Sequence, residues 1–485
     1  MPFPAVRLSP RAARPARPVR EVRRLERALL CYAGFEDFVL LYPVYALLFA
    51  DHGLSTAEIS VLFGIWSLTG VLLEVPSGVW ADVVSRRLLL VAGPLLSAAG
   101  FGLWVAFPSF PVFAAGFVLW GAGSALRSGA LEALVYEELA SHGACSRYPR
   151  LMGRARAVGT ACTATAGALA APVFTLAGYS GLGAASVAAC LLCAFAATRL
   201  PEHRQAAADP APADRPPACP APADSTPACP APADNAPACP APADNAPADE
   251  AADLAGSARG YLGTLRDGLA EAHGSPAVRN ALLLAVAVTT VWGSLDEYVP
   301  LLAAEAGATT AEVPLLTLLV WAGVTAGGLL AGTAGRLSGR SLGAAVALAS
   351  GALAAGALWG IPGGFVLLGL AFAVFQAADV VTDARLQDAV TGPSRATVTS
   401  LGGLGTGLTT LLVYAAYGAA SGRTSHATLF ALSAVPYLVI AAAMARRRGP
   451  AVFAGTRPGV GGPTASDPEP DLPARDSGPV TTADA

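Results

Sequence analysis

Gly53-Leu54-Ser55-Thr56-Ala57-Glu58-Ile59 returns 254 residues later as Gly307-Ala308-Thr309-Thr310-Ala311-Glu312-Val313. Each copy opens a long apolar run. Held without gaps, the same offset carries Gly78 onto Gly332 and Arg86 onto Arg340. Agreement over that length marks an internal duplication, so the chain is expected to hold two related units.

The surroundings of these two stretches say what kind of units they are. Of 485 residues, 54% are hydrophobic and 13% charged, with a mean hydropathy of +0.53, against about 25% charged in an ordinary soluble protein. A soluble enzyme is excluded on that ground. A helix needs ~20 apolar residues to cross a bilayer, and such runs occur at 29–50, 57–79, 88–107, 111–131, 154–177 and 181–199, then at 279–303, 312–335, 341–361, 363–384, 396–420 and 425–445. The expected fold is an all-α membrane protein of twelve transmembrane helices in two pseudo-symmetric six-helix halves, 29–199 and 279–447.

The chain has no lysine, and its arginines orient it. Counting from an inner N-terminus, the inner loops hold Arg86 and Arg87, Arg147 to Arg156, Arg199 and Arg204, Arg336 and Arg340, Arg385 and Arg395, and Arg446 to Arg448, whereas the outer loops hold Arg423 alone. Positive loops stay inside, so both termini are expected in the cytoplasm and the protein in the cell (inner) membrane. Residues 1–28, with eight arginines, read as a basic tail before a retained first span. Residues 200–278 form a linker in which 210–248 repeat a decapeptide, PAPADRPPAC and its variants. So much proline with so little to bury predicts an extended tether dispensable for folding, and the tail 448–485 is expected to be disordered too.

Several functions are excluded at the same time. A net charge of -3 argues against nucleic acid as a partner. The five histidines fall in expected loops, so no buried cluster serves a metal or a general base. Cys219, Cys229 and Cys239 belong to the tandem repeat, and the CxxC of Cys190 and Cys193 lies inside a span as small packing residues. No nucleotide-binding G-x-x-x-x-G-K-(S/T) occurs. The chain is therefore expected not to be an enzyme, to hold no cofactor or metal, and to work as a monomer.

At the inner end of span 2 stands Gly78-Val79-Trp80-Ala81-Asp82-Val83-Val84-Ser85-Arg86-Arg87. It resembles the signature of the major facilitator superfamily, G-x-x-x-D-(R/K)-x-G-(R/K)-(R/K), with Val83 replacing a basic residue and Ser85 a glycine. Glu74-Val75-Pro76-Ser77-Gly78, Ser128-Gly129 with Tyr136, and Arg395-Ala396-Thr397-Val398 are similar to a drug-exporter-like branch. The glycine row of the antiporter signature is only hinted at by Gly159, Gly167 and Pro172. The resemblance implies alternating access between two rocking halves, with Glu74, Gly78, Asp82, Arg86 and Arg87 as a cytoplasmic gating motif and Asp82 bracing the N-terminus of span 11.

Charges inside spans cost at least ~2.5–3.5 kcal/mol each at the centre of a lone helix, so they are the candidate site. Glu36 and Asp37 lie in span 1, Arg127 and Glu132 near the inner end of span 4, and Asp296 and Glu297 in the outer half of span 7. Gln376, Asp379, Asp383 and Gln387 share one face of span 10. These residues are assigned to proton coupling or the substrate cavity, with Arg127 as partner to an acid. Glu36 and Asp37 point about 100° apart on a helix, so one of them at most should face the cavity squarely. Tyr32, Tyr42, Tyr45, Trp66, Trp292 and Tyr298 are candidate cavity aromatics. The expected activity is proton-coupled efflux of a small hydrophobic or amphipathic compound. The alternative is a proton- or ion-coupled symporter importing a nutrient or other small solute.

Overall fold

A computed structural model describes residues 16–202, 275–360, 363–390 and 395–446. The decapeptide repeat 210–248 and the C-terminal tail lie outside the described residues, as do residues 1–15. Every regular element among the described residues is helical: α1 Ala16–Glu36, α2 Tyr45–Asp51, α3 Thr56–Val83, α4 Arg86–Ala106, α5 Phe110–Arg127, α6 Ala130–Ser141 and α7 Tyr148–Thr198, followed by α8 Pro276–Asp296, α9 Val299–Glu305, α10 Val313–Ala334, α11 Gly339–Trp359, α12 Gly363–Ala389, α13 Arg395–Ser421, α14 His426–Leu432 and α15 Ala434–Arg446. Among the described residues, nine stretches of helix are long and apolar enough to cross a membrane. One of them, Cys145–Thr198, is 54 residues long and is interrupted at Gly178, whose φ of 59° and ψ of -155° leave the helical region. Exposed Leu72, Leu176, Leu329, Leu348 and Leu412 stud the outside, a surface that suits lipid and not water.

The duplicated stretch is a repeat in backbone geometry as well as in letters. Helices α2 and α9 start and stop 254 residues apart. Each runs into a glycine of positive φ, 86° at Gly53 and 90° at Gly307. The next amide then turns back: Leu54 N–H donates to the Phe49 carbonyl at 3.2 Å, and Ala308 N–H to that of Ala303 at 3.0 Å. In both copies a glutamate then reaches back three residues to a backbone amide, within a capping box at the start of α3 and within the turn that leads into α10. Glu58 accepts from the Ser55 amide and Glu312 from the Thr309 amide, each at 2.8 Å, so the same local hydrogen bond forms twice.

Helix α1 departs from the expected boundary. It begins at Ala16, ahead of the apolar run, because Val22, Leu25, Ala28, Leu29 and Tyr32 return to one face and are buried. Arg23, Arg24 and Arg27 occupy the exposed face. Glu26 pairs with Arg154, and Glu21 lies 2.5 Å from His142. What reads as a basic tail is thus, from Ala16 onward, a helix docked across the ends of α6 and α7.

Within each block the helices pack as neighbours: α1 on α7, α4 on α5 and α7, α3 on α5, and α10 on α12, α11 on α12 and α15, α8 on α12 and α13. Among the described residues, the more extensive contacts between the blocks are α3 to α13, α7 to α10 and α2 to α9. The end of the bundle carrying the Gly53 and Gly307 turns is filled by aromatic rings, with Tyr45, Phe49, Phe63, Trp104, Phe117 and Tyr298 all buried. At this end Tyr298 O–H donates to Ser60 Oγ at 2.8 Å and stacks on Tyr417 at 3.7 Å.

Candidate functional site

Three of the long apolar segments are broken at charged residues. The first segment stops being helical after Glu36 and resumes at Tyr45. Pro43, which has no N–H to give a helix, lies in the gap. Another stops at Arg127 and resumes at Ala130 through Gly129, whose φ of 73° only glycine adopts without strain. Arg127 at the C-terminal end of α5 faces the negative end of the helix dipole, and Glu132 in the first turn of α6 the positive end.

These breaks bring four of the expected residues to one cavity of about 300 Å³, lined by Glu36, Asp37, Ser124, Arg127, Glu132 and Arg156 among others. Glu36 Oε1 lies 3.1 Å from Arg127 Nε, the two side chains being 25% and 16% exposed. Arg127 also donates to Ser124 Oγ at 3.1 Å. The expected partnership of Arg127 with an acid is therefore present. The expectation that one of Glu36 and Asp37 at most can face the cavity is corrected: both line it, because the helix ends between them and the 100° rule no longer applies. Asp37 packs on the backbone of α7 at Gly159, where a Cβ would overlap its carboxylate.

A second acidic pair marks the third of these breaks. Asp296 is the last residue of α8 and Glu297 its C-cap, one residue ahead of the Tyr298 that starts α9. Neither side chain is fully exposed. Both Asp296 oxygens accept from Trp321 Nε1 on α10, at 3.1 Å each. Glu297 accepts from the Tyr45 hydroxyl, so this bond runs from the α8–α9 junction to α2 and from one block to the other.

The face of α12 divides. Asp379 accepts from Thr289 on α8, Gln387 donates to Thr399 at 3.1 Å, and Asp383 is exposed. Of the aromatic candidates, Tyr42, Trp66 and Trp292 are half-buried, whereas Tyr32, Tyr45 and Tyr298 are buried in packing, so these three do not line an open space.

In the gating motif, the side chains of Glu74, Gly78 and Asp82 lie outside the described residues, as does that of Arg395. The remaining members bind neighbours in their own block. Arg86 pairs with Glu137 of α6, and Arg87 lies 4.0 Å from Glu202. Glu202 also accepts from Ser85 Oγ at 2.5 Å and from the Arg86 amide at 2.8 Å, capping α4 from the far end of α7.

Other residues were not singled out by sequence. Trp321 was hidden in an apolar run. His426, assigned to a loop, opens α14 and bridges elements: its Nδ1 is 2.7 Å from the Tyr417 hydroxyl and its Nε2 3.4 Å from Thr56 Oγ1. Glu305 accepts from the His426 and Ala427 amides at 2.7 and 3.0 Å. Cys145 is disulfide-bonded, while Cys31, Cys162, Cys190 and Cys193 carry free thiols.

Long lipid-facing helices broken at buried charges, joined as two packed blocks, define a multi-pass membrane protein built to carry a solute. The chain belongs to the Major Facilitator Superfamily, whose family model matches residues 29–381, and it is a transporter of the secondary kind. No curated protein matches it by sequence. Among solved structures it resembles a D-xylose-proton symporter at a TM-score of 0.58 and 14% identity, covering 87% of this chain and 96% of that one. The nucleoside transporter NupG aligns at 0.58 and 14%, covering 88% and 98%. The POT family transporter PepTSo aligns at 0.57 and 12%, again covering 88% of this chain and 97% of that one. At these identities the likeness is one of fold.

Proposed function

We propose that the protein is a proton-coupled exporter of a small hydrophobic or amphipathic compound, working as a monomer in the cell membrane by alternating access. In this reading the spans number twelve, in two six-helix halves. The interrupted α7 supplies two of them, α1 with α2 is the first, α8 with α9 the seventh, and α13 the eleventh. The arginine bias places both termini in the cytoplasm. The turns at Gly53 and Gly307 then face outward, and the contacts that join the halves there, Tyr45 to Glu297, Ser60 to Tyr298 and Thr56 to His426, hold the outer side shut.

The observation that carries the reading is the cavity at the two breaks, where Asp37 stands beside the Glu36–Arg127 pair. A carboxylate at such a place is protonated, hydrated or paired, and each alternative ties its charge to the state of the pore. Taking a proton from outside and giving it up inside, in competition with cargo, couples the two fluxes. The efflux direction is supported by the exporter-like stretches around Glu74 and Ser128.

The test is flux in proteoliposomes under an imposed proton gradient. Asp37→Asn should abolish uphill transport and leave binding and downhill exchange. If Asp37→Asn and Glu36→Gln both keep full uphill transport, coupling lies with Asp296, Glu297 or Asp379. Cargo moving in the same direction as the protons would make the protein an importing symporter instead.

A further inference from the structure

We infer that the outward face of α1 and the C-terminal end of α7 together seat an anionic phospholipid, with Arg24, Arg27 and Arg199 holding its phosphate. The first argument is how α1 sorts its charges. Its acids turn to the protein: Glu21 lies 2.5 Å from His142, and Glu26 pairs with Arg154. Arg23, Arg24 and Arg27 are exposed. Among the described residues none of these three has a carboxylate within ion-pair distance. Arg27 Nε donates instead to the Arg23 carbonyl at 3.3 Å.

The second argument is the level and direction of that face. Helix α1 is flanked by both legs of α7. A Cβ at Gly34 would stand 3.3 and 3.4 Å from Val158 and Cys162 of the first leg, and Cys193 of the second donates to the Tyr32 carbonyl at 3.6 Å. Arg127 meets α1 from the interior of the block. Arg24, Arg27 and Cys31 share the face left over, and Cys31 is exposed on the apolar first span. At ~1.5 Å per residue, Arg27 lies about 3 Å and Arg24 about 8 Å beyond Leu29, where the apolar run begins. The headgroup layer is about 5–7 Å deep on each side of the hydrocarbon. The face therefore leaves the lipid tails and reaches phosphate level where its arginines begin.

The third argument is the matching stripe on the second leg of α7. Leu192, Phe195 and Arg199 follow at the same spacing. The two apolar side chains are 46% and 56% exposed, and Arg199 is exposed too, its guanidinium 4.7 Å over the Phe195 ring. Helix α4 packs on another side of this leg, at Gly183, where a Cβ would meet Val105. Arg199 lies sixteen residues on, about 160° around the helix from Gly183, so the stripe looks away from α4. It ends less than two turns past the Cys193 that touches α1. A free anion would use the arginines alone, whereas a phospholipid also uses Cys31, Leu192 and Phe195 along its tails. Arginine suits the phosphate, which it binds through two parallel N–H bonds.

The experiment is native mass spectrometry of the purified full-length protein in detergent, titrated with phosphatidylglycerol or phosphatidylcholine of identical chains. The first phosphatidylglycerol should bind about tenfold or more tightly, since each arginine at the interface is worth about fivefold. Arg27→Gln with Arg199→Gln should remove most of that preference, and the same pair changed to Lys should keep most of it. Arg336→Gln with Arg340→Gln takes the same charge from exposed positions in the other block and should leave the preference within about twofold of wild type. Thermal midpoints establish that the variants are folded. One readout needs no variant: phosphatidylglycerol with a diazirine in its chain should label the peptides holding 24–31 and 192–199. If a variant does not fold, this labelling decides. Equal affinity for the two lipids, an equal loss in the Arg336 and Arg340 control, or labelling confined to other helices overturns the proposal. Flux plays no part in these readouts, so their failure leaves the transport reading standing, and failure of transport leaves the lipid seat.

Discussion

The acids of the first broken segment and those of the seventh stand in the same kind of place and are treated in opposite ways. Glu36 ends α1 and meets a guanidinium, with Asp37 next to it in the same cavity, whereas Asp296 and Glu297 at the end of α8 meet an indole and a phenol. Duplication explains why both segments break, since α2 and α9 keep register at an offset of 254. It does not explain the partners, which differ between the two segments. The contrast is one of charge balance: Glu36 has an ionic partner in Arg127, whereas Asp296 and Glu297 are held by neutral donors.

The largest effect should come from breaking the matched pair. Arg127→Gln leaves Glu36 charged in a half-buried site, at a cost of about 3 kcal/mol, the lower end for such a pair given its exposure. Glu36→Gln should cost a similar amount, and the double variant should recover most of the loss. Thermal unfolding of the four proteins in detergent measures the cycle. If the two single losses simply add, the ion pair is not what stabilises this joint.

Next is the packing that places Asp37. Gly159→Ala puts a methyl where the carboxylate lies, and overpacking of this kind costs about 1–3 kcal/mol. The expected phenotype is impaired proton-driven flux with every charge still present. Normal flux in Gly159→Ala would mean that Asp37 is free to move and that its place against α7 is immaterial.

The unmatched pair should respond more mildly. Tyr45→Phe removes the hydroxyl that joins α2 to Glu297 across the halves, a bond to a charged group worth about 1.5–3 kcal/mol before water replaces it. With water able to reach a half-buried glutamate, roughly 1 kcal/mol is expected, together with faster opening of the outer side. Cysteine-accessibility labelling at the outer ends of α2 and α9 reads that opening. Unchanged labelling would show that the aromatic packing, and not this bond, holds the halves together.

How much of this could be read in the letters follows from the range of the interactions. The repeat at Gly53 and Gly307 was legible because its turn and caps are local, three to five residues across. The helical character was legible in the apolar runs, and the need of Arg127 for an acid in the cost of a charge within a span. The breaks were not: residues 37–44 are as apolar as a helix, and Pro43 alone hinted at the gap. Nor were the partners. Trp321 meets Asp296 across two helices, Tyr45 meets Glu297 from the other half, and Glu202 reaches Ser85 from the end of α7. Helical periodicity has no purchase on contacts so far apart in sequence.

The smallest expected effect lies at the end of the molecule away from the aromatic packing, and it tests whether the docked start of α1 belongs to the machine. His142 caps α6 with both ring nitrogens against acceptors, Nδ1 at 2.7 Å from the Glu138 carbonyl and Nε2 at 2.5 Å from Glu21. A neutral imidazole donates once, so satisfying both requires the imidazolium. The hydrogen bond to the Glu138 backbone and then the Glu21 carboxylate accordingly hold its pKa above the usual histidine value. A raised pKa gives stability that is fully present below the unfolded value of about 6.5 and is lost as pH climbs through the folded one. Because Glu21 is half exposed, the contribution should stay below about 1 kcal/mol. The difference in thermal midpoint between wild type and His142→Gln should therefore be greatest below about pH 6.5 and shrink as the pH rises above it. A difference that persists or grows on going alkaline would mean that the ring is neutral and that α1 is held by Leu25, Leu29 and the Glu26–Arg154 pair alone.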